Sequence, residues 1–169
     1  MIPYTVTFSA VAVTAAQECF QLVAPAARWL SIDHIFLGQY SDAGDAQDEL
    51  LSVLIITGYT TVSAGGGAFT PLPLDSRRPA ATATARINDT TLATAGTAAT
   101  RWAETFNVRA GWYFPGKDSH VLVPRPQQRK ILVAPGAQAV VRITAPADSI
   151  TMNGTLMFTE YEPHDDFAA

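Results

Sequence analysis

Short stretches in which apolar and polar residues alternate recur along the chain, and they constrain its fold more than any other feature. The first stretch runs from Tyr4 to Val13. Tyr4, Val6 and Phe8 share one face of it, and threonine or serine occupies the other. A period of two is typical of a β-strand with one buried face. The threonines favour the same structure, because branched side chains pack well on a pleated surface.

Proline and glycine separate these stretches, most clearly in the last third of the chain. Short strands at intervals of about 8 to 12 residues, with such turns between them, are typical of a β-sandwich. No amphipathic stretch of helical period extends beyond about three turns, which disfavours parallel βαβ folds. The sequence therefore predicts an all-β fold, an antiparallel β-sandwich of jelly-roll type. The predicted strands of the last third are Val121–Val123, Lys130–Val133, Gln138–Thr144 and Ile150–Tyr161.

Two local signals predict hairpins. The buried strand that ends near Leu37 and the apolar run Leu50–Thr57 flank an acidic loop, Asp42–Glu49, and we expect them to pair around it. Asn153-Gly154 is interpreted as a tight hairpin turn, because Asn-Gly is the dipeptide that such turns prefer.

The length of 169 residues, with 48% hydrophobic and 15% charged residues, indicates one compact domain. We assign residues 1–162 to a single β-sandwich domain. An inserted loop or arm is expected at about residues 63–100, where glycine and proline are followed by an alanine- and threonine-rich tract. Residues 163–169 are expected to form a flexible acidic C-terminal tail.

The charge pattern and the termini exclude several classes of partner. The net charge is −4 and the 11 cationic residues are scattered, so no basic stripe is available for nucleic acid. The N-terminus lacks the features of a signal peptide, and no run of about 18 apolar residues occurs, so no membrane association is expected. Cys19 is the single cysteine, which excludes an intramolecular disulfide and a thiolate zinc cluster and indicates a packed thiol.

No pattern of catalytic, cofactor-binding or metal-binding residues is recognisable, so the chain is not predicted to be an enzyme and no cofactor is expected. It contains neither a nucleophile elbow nor a phosphate-binding loop. The Asp42–Glu49 loop does not match the ligand spacing of an EF-hand and is interpreted as solvated. Other isolated groups are the histidines His34, His120 and His164, and the carboxylates Glu18, Glu104, Glu160 and Glu162, which we interpret as surface residues rather than a glycosidase pair.

The densest aromatic group comprises Trp102, Trp112, Tyr113 and Phe114. Such rings fill a sandwich core, form a subunit interface or stack on sugars. We retain these four residues as the candidate interface, with core packing as the alternative.

Several segments together resemble small virion proteins of tailed bacteriophages, most closely the capsid decoration (cement, or auxiliary head) proteins. These segments are Tyr4–Phe8, Gly38–Glu49, Val133–Gly136 and Gly154–Phe158. The resemblance implies a homotrimer that binds the major capsid protein on the outside of the head and stabilises contacts between its subunits. It also implies synthesis in the bacterial host cytoplasm and a final location in the virion.

Two other functions remain open from the residues alone. One is a tail-fibre or base-plate module that recognises a host surface glycan through Trp102, Trp112 or Tyr113. The other is a glycan hydrolase or lyase whose carboxylates only the folded chain would bring together.

Overall fold

The computed structural model describes residues 2–40, 49–116, 131–147 and 149–161, and in these ranges the chain forms strands and no helix. The predicted strand Val121–Val123, the tail at 163–169 and residues 42–48 of the acidic loop lie outside the described residues. The strands are β1 (Ile2–Val13), β2 (Gln17–Val23), β3 (Trp29–Gln39), β4 (Leu50–Tyr59), β5 (Gly67–Phe69), β6 (Leu72–Pro73), β7 (Thr84–Asp89), β8 (Gly96–Asn107), β9 (Trp112–Phe114), β10 (Ile131–Val133), β11 (Gln138–Ile143) and β12 (Ile150–Tyr161).

These strands form two antiparallel sheets that pack face to face, as the sequence predicted. The first sheet has the order β10-β3-β12-β1-β6, with β9 also paired to β3. The second sheet has the order β5-β7-β2-β11-β4-β8. The chain passes repeatedly from one sheet to the other, with β1, β3 and β12 in the first and β2, β4 and β11 in the second. This order is compatible with the jelly-roll type, which stays a prediction.

The core lies between the sheets and follows the period-two pattern. On β1, Tyr4, Val6 and Phe8 are buried, whereas Thr5 and Thr7 face outward. The same alternation on β12 buries residues such as Leu156 and Phe158. Burying one aliphatic or aromatic side chain of this size contributes about 1.5 to 3 kcal/mol to folding. The alternation therefore sets both the strand and the face that each side chain occupies.

The predicted hairpin between β3 and β4 is wrong. β3 pairs with β12, β9 and β10 in the first sheet, whereas β4 pairs with β11 and β8 in the second. Both strands carry apolar runs that pack against neighbours distant in sequence, and those long-range partners determine their placement. Adjacency in sequence does not reveal this choice.

The predicted turn at Asn153-Gly154 is also wrong, because both residues lie inside β12. The ring of Phe8 packs directly over Gly154, and a Cβ there would lie 2.2 Å from Phe8 Cε1 and 2.9 Å from Phe20 Cζ. The side chain of Asn153 is used differently, since its Oδ1 accepts a hydrogen bond of 2.8 Å from the backbone N–H of Ala10. Glycine is needed here for close packing between the sheets and not for a turn.

We expect Gly154→Ala to lower the free energy of unfolding by about 1 to 3 kcal/mol, because the added methyl group must displace two packed rings. Chemical denaturation measures the loss. The control is Gly38→Ala, since a Cβ at Gly38 would meet nothing within 4 Å. Equal stability of the two variants would show that the rings do not require the glycine.

Residues 63–100, predicted as an inserted loop or arm, contribute strands to both sheets. β6 pairs with β1 in the first sheet, through Thr5 and Leu72 among others. β7 pairs with β2, and β5 pairs with β7, so that both strands extend the second sheet. The segment therefore includes paired strands at the margins of the sandwich. The domain boundaries themselves stay a prediction.

Two neighbouring pieces of chain, residues 60–66 and 90–95, lie over the outer face of the second sheet, and we call them the strap. A β-bridge between Ala64 and Thr91 joins the two pieces. Ala93 of the strap packs on Ile56 and Val140 in a small apolar cluster on the side of the sheet away from the core. The middle of the second sheet, at β4 and β11, is thus covered on both faces, which explains the nearly continuous apolar runs in these two strands.

Buried carboxylates fasten the strap to the sheet. Asp89 accepts hydrogen bonds from the Ser63 hydroxyl at 2.7 Å and from the Gly66 N–H at 2.8 Å, and Arg86 binds it with two nitrogens. Burial raises the pKa of the Asp89 carboxyl, but these hydrogen bonds outweigh burial and hold the pKa below its usual range. Glu18 fastens the other piece by accepting a hydrogen bond of 3.0 Å from the Ala93 N–H.

Candidate binding face

Three of the four aromatic residues proposed as an interface close one side of the sandwich. Trp102 on β8 belongs to the second sheet, and its ring packs edge-on against Phe114 of β9, with centroids 5.1 Å apart. The ring centroids of Trp112 and Phe114 are 6.4 Å apart, and both of these residues are buried. Glu104 accepts hydrogen bonds from the Trp102 and Trp112 indoles, at 3.1 and 3.0 Å. This cluster joins the edges of the two sheets.

Tyr113 faces the opposite way, onto the outer face of the first sheet. It pairs across the strands with Phe36, and each of the two residues is 44% exposed. Their ring centroids are 4.7 Å apart. His34 extends the row, because its ring stacks on Tyr113 at 5.8 Å and its Nδ1 lies 2.8 Å from the Tyr113 hydroxyl. We call His34, Phe36 and Tyr113 the aromatic row.

An open groove of about 350 Å³ lies beside the aromatic row. Phe36 and Tyr113 border it, and Asn153 and Thr155 of β12 supply polar groups. Gly38 also lines it, at the outward position of β3 two residues beyond Phe36. Because a Cβ at Gly38 would meet no atom within 4 Å, neither packing nor a turn demands glycine there. The missing side chain keeps the groove open.

The strands that form the remainder of this face contribute almost no charge to it. β1, β3, β9 and β12 contain neither lysine nor arginine, and their two acidic residues, Asp33 and Glu160, are buried. At the β1 edge, the outward residues Pro3 and Thr5 lie beside Leu74 and Leu72, each of which is more than half exposed, and Thr7 follows on the same face of β1. We call these five residues the edge strip.

The interpretation of Glu18 and Glu160 as surface residues is wrong. Both are buried, and each is bound by an arginine: Glu18 by Arg142, and Glu160 by Arg28 at 2.9 Å. Both also accept backbone N–H groups from distant segments, so their role is to hold the chain together. Glu104 is exposed, and Glu162 lies outside the described residues. The structure therefore brings neither buried carboxylate into a facing pair of the glycosidase kind.

The other candidate chemical groups are placed as follows. Cys19 is buried, and burial raises the pKa of its thiol to about 12, so the thiol stays protonated and inert at neutral pH. His120 and His164 lie outside the described residues. Among the residues that the structure does describe, no three His, Cys, Asp or Glu side chains come together as a metal site. The described segments also include no helix long and apolar enough to cross a membrane.

Sequence reasoning missed His34, Phe36 and Gly38. Phe36 lies within the run Ile35-Phe36-Leu37, in which every residue is apolar, so alternation gives no sign that it faces outward. The partner strand supplies the missing information, because β9 places Tyr113 directly opposite Phe36.

The outer face of the first sheet therefore combines an edge strip without charge, an exposed aromatic row and an open groove.

The chain matches none of the family models, curated proteins or solved structures with which it was compared.

Proposed function

We propose that this chain is a structural protein of a tailed-bacteriophage virion, which binds the outside of the capsid and stabilises contacts between major capsid proteins. The observation that carries the proposal is the uncharged outer face of the first sheet. The centre of a protein interface is depleted in charged residues, and an exposed surface of this kind marks a binding site. The resemblance of the sequence to decoration proteins supports the choice of partner.

The edge strip is the part of this face that we assign to the capsid. Leu72 and Leu74 supply exposed apolar groups beside the threonines of β1. The exposed ion pair between Asp75 and Arg77, 2.9 Å long, follows directly in the chain and fits the polar rim of an interface. In the proposed homotrimer, three such strips act together, so that a modest affinity per strip is sufficient.

We expect Thr7→Glu to weaken binding to phage heads at least about tenfold, because it buries an unpaired charge in the interface. Co-sedimentation of the purified chain with heads that lack it measures the affinity. The matched control is Thr100→Glu, which places the same charge on exposed β8. Wild-type chain that fails to bind heads, or equal binding by Thr7→Glu and wild type, would contradict the proposal.

A second candidate function is a tail-fibre or base-plate module that recognises a host glycan. One observation favours it: the groove beside the exposed pair Phe36 and Tyr113. Imaging of virions with a labelled antibody distinguishes the two candidates, since a decoration protein covers the head and a fibre or base-plate module labels the tail.

A further inference from the structure

We propose that the groove beside the aromatic row binds a neutral pyranose sugar, as a single ring or as the end of a longer glycan. The inference goes beyond the decoration role and names the ligand class that the second candidate function would need. It does not depend on the capsid, because the groove and the edge strip use different residues.

The aromatic wall of the groove matches one face of such a sugar. A pyranose ring presents C–H groups on its flat faces, and these groups pack on the negatively charged face of an aromatic ring. Phe36 and Tyr113 are only 30° from coplanar and nearly half exposed, so they form a short platform. The hydrogen bond with His34 fixes the direction of Tyr113, so little side-chain freedom is lost on binding.

The polar wall matches the hydroxyl groups of a sugar. Asn153 and Thr155 lie two residues apart on β12, so both point outward, and both line the groove. The Asn153 Oδ1 already accepts the Ala10 N–H, which orients the amide and makes its NH₂ the group that donates to a ligand. Thr155 offers a hydroxyl that both donates and accepts. The hydroxyl groups of a sugar can accept a hydrogen bond from the Asn153 NH₂ and can both donate to and accept from the Thr155 hydroxyl.

The size and charge of the groove narrow the ligand class further. Among the residues that the structure describes, none that lines the groove carries a charge, so phosphate, sulfate and carboxylate ligands would lack a counter-ion there. A volume of about 350 Å³ lies at the lower end of the range for small-molecule sites, as expected for one or two sugar rings. The absence of a side chain at Gly38 leaves part of this volume free.

The test is an NMR titration of the purified chain with methyl glucoside, galactoside and mannoside and with neutral oligosaccharides of the same sugars. We expect saturable shifts confined to the backbone amides around Gly38, Tyr113 and Asn153. Gly38→Leu fills the groove, and we expect it to abolish the shifts while leaving the thermal unfolding curve unchanged. Tyr113→Ala should weaken binding about tenfold, whereas Tyr113→Phe keeps the ring and should retain most of the affinity.

The outcomes separate this inference from the decoration role. Gly38→Leu should still bind phage heads. Leu72→Glu places a charge in the edge strip on the side of β1 away from the groove, so it should lose head binding and still bind the sugar. Wild-type chain that shows no shifts with any of these sugars would overturn the inference, and so would equal sugar binding by Gly38→Leu. Loss of head binding alone leaves the sugar site standing.

Discussion

Glu160→Gln is expected to lower the free energy of unfolding by about 3 to 5 kcal/mol, which corresponds to a fall of about 6 to 20 °C in Tm. The carboxylate accepts hydrogen bonds from the N–H groups of Thr82 and Ala83, each at 2.8 Å, and from the Thr82 hydroxyl at 3.0 Å. It also binds Arg28. Glutamine has the same shape, but its NH₂ group would face donors and leave buried groups unsatisfied.

Thermal and urea unfolding measure this effect. The control is Asp75→Asn, which removes a carboxylate from an exposed ion pair with Arg77 and should leave the stability almost unchanged, because solvent screens that pair. If both substitutions had the same small effect, the four hydrogen bonds to Glu160 would contribute no more than a surface contact.

Arg142→Met is expected to cost a similar amount, about 3 to 5 kcal/mol, because it leaves the fully buried carboxylate of Glu18 without its cation. Arg142 also donates a hydrogen bond of 3.1 Å to the Ala93 carbonyl, and its guanidinium lies 5.2 Å from the centre of the Tyr59 ring. The substitution therefore loosens the strap over the second sheet as well as the ion pair.

A double variant separates the two contributions. Glu18→Leu combined with Arg142→Met removes both charges, and we expect it to be more stable than Arg142→Met alone, because no unpaired charge stays buried. Hydrogen exchange of the Ala93 amide reports the strap directly. It should speed up in the double variant, which removes its acceptor Glu18, and in Arg142→Met, which removes the hydrogen bond from Arg142 to the Ala93 carbonyl. A double variant less stable than Arg142→Met would show that the buried charge is not the source of the loss.

Both predictions concern how a loop-like segment acquires a defined position. Residues 60–95 contain few large apolar side chains, so a core of their own cannot order them. Glu18, Asp89 and Glu160 instead bind their backbone N–H groups and their hydroxyls. A rigid surface of this kind suits a protein proposed to brace a capsid, because little entropy is lost on docking.

The candidate site was only partly predictable from the sequence. Aromatic density pointed to Trp102, Trp112, Tyr113 and Phe114, and of these only Tyr113 belongs to the aromatic row. The other three join the edges of the sheets. Which face an aromatic residue occupies depends on its partner strand, and a continuous apolar run such as Ile35-Phe36-Leu37 does not reveal it.

The sequence by itself determined the class of fold and most of the strands. Alternation at Tyr4–Val13 and in the last third predicted β1, β11 and β12 to within a few residues, because a strand exposes successive side chains to opposite faces whatever its partner is.

Only the tertiary structure decided which strands pair, why Gly154 is glycine and which carboxylates are buried. β3 and β4 are neighbours in sequence and belong to different sheets, and Glu160 binds residues 78 and 77 positions away, Thr82 and Ala83. The physical reason is that hydrogen-bond partners and packing neighbours of this kind come from distant segments, whereas the pattern along a strand records only which of its own faces is apolar.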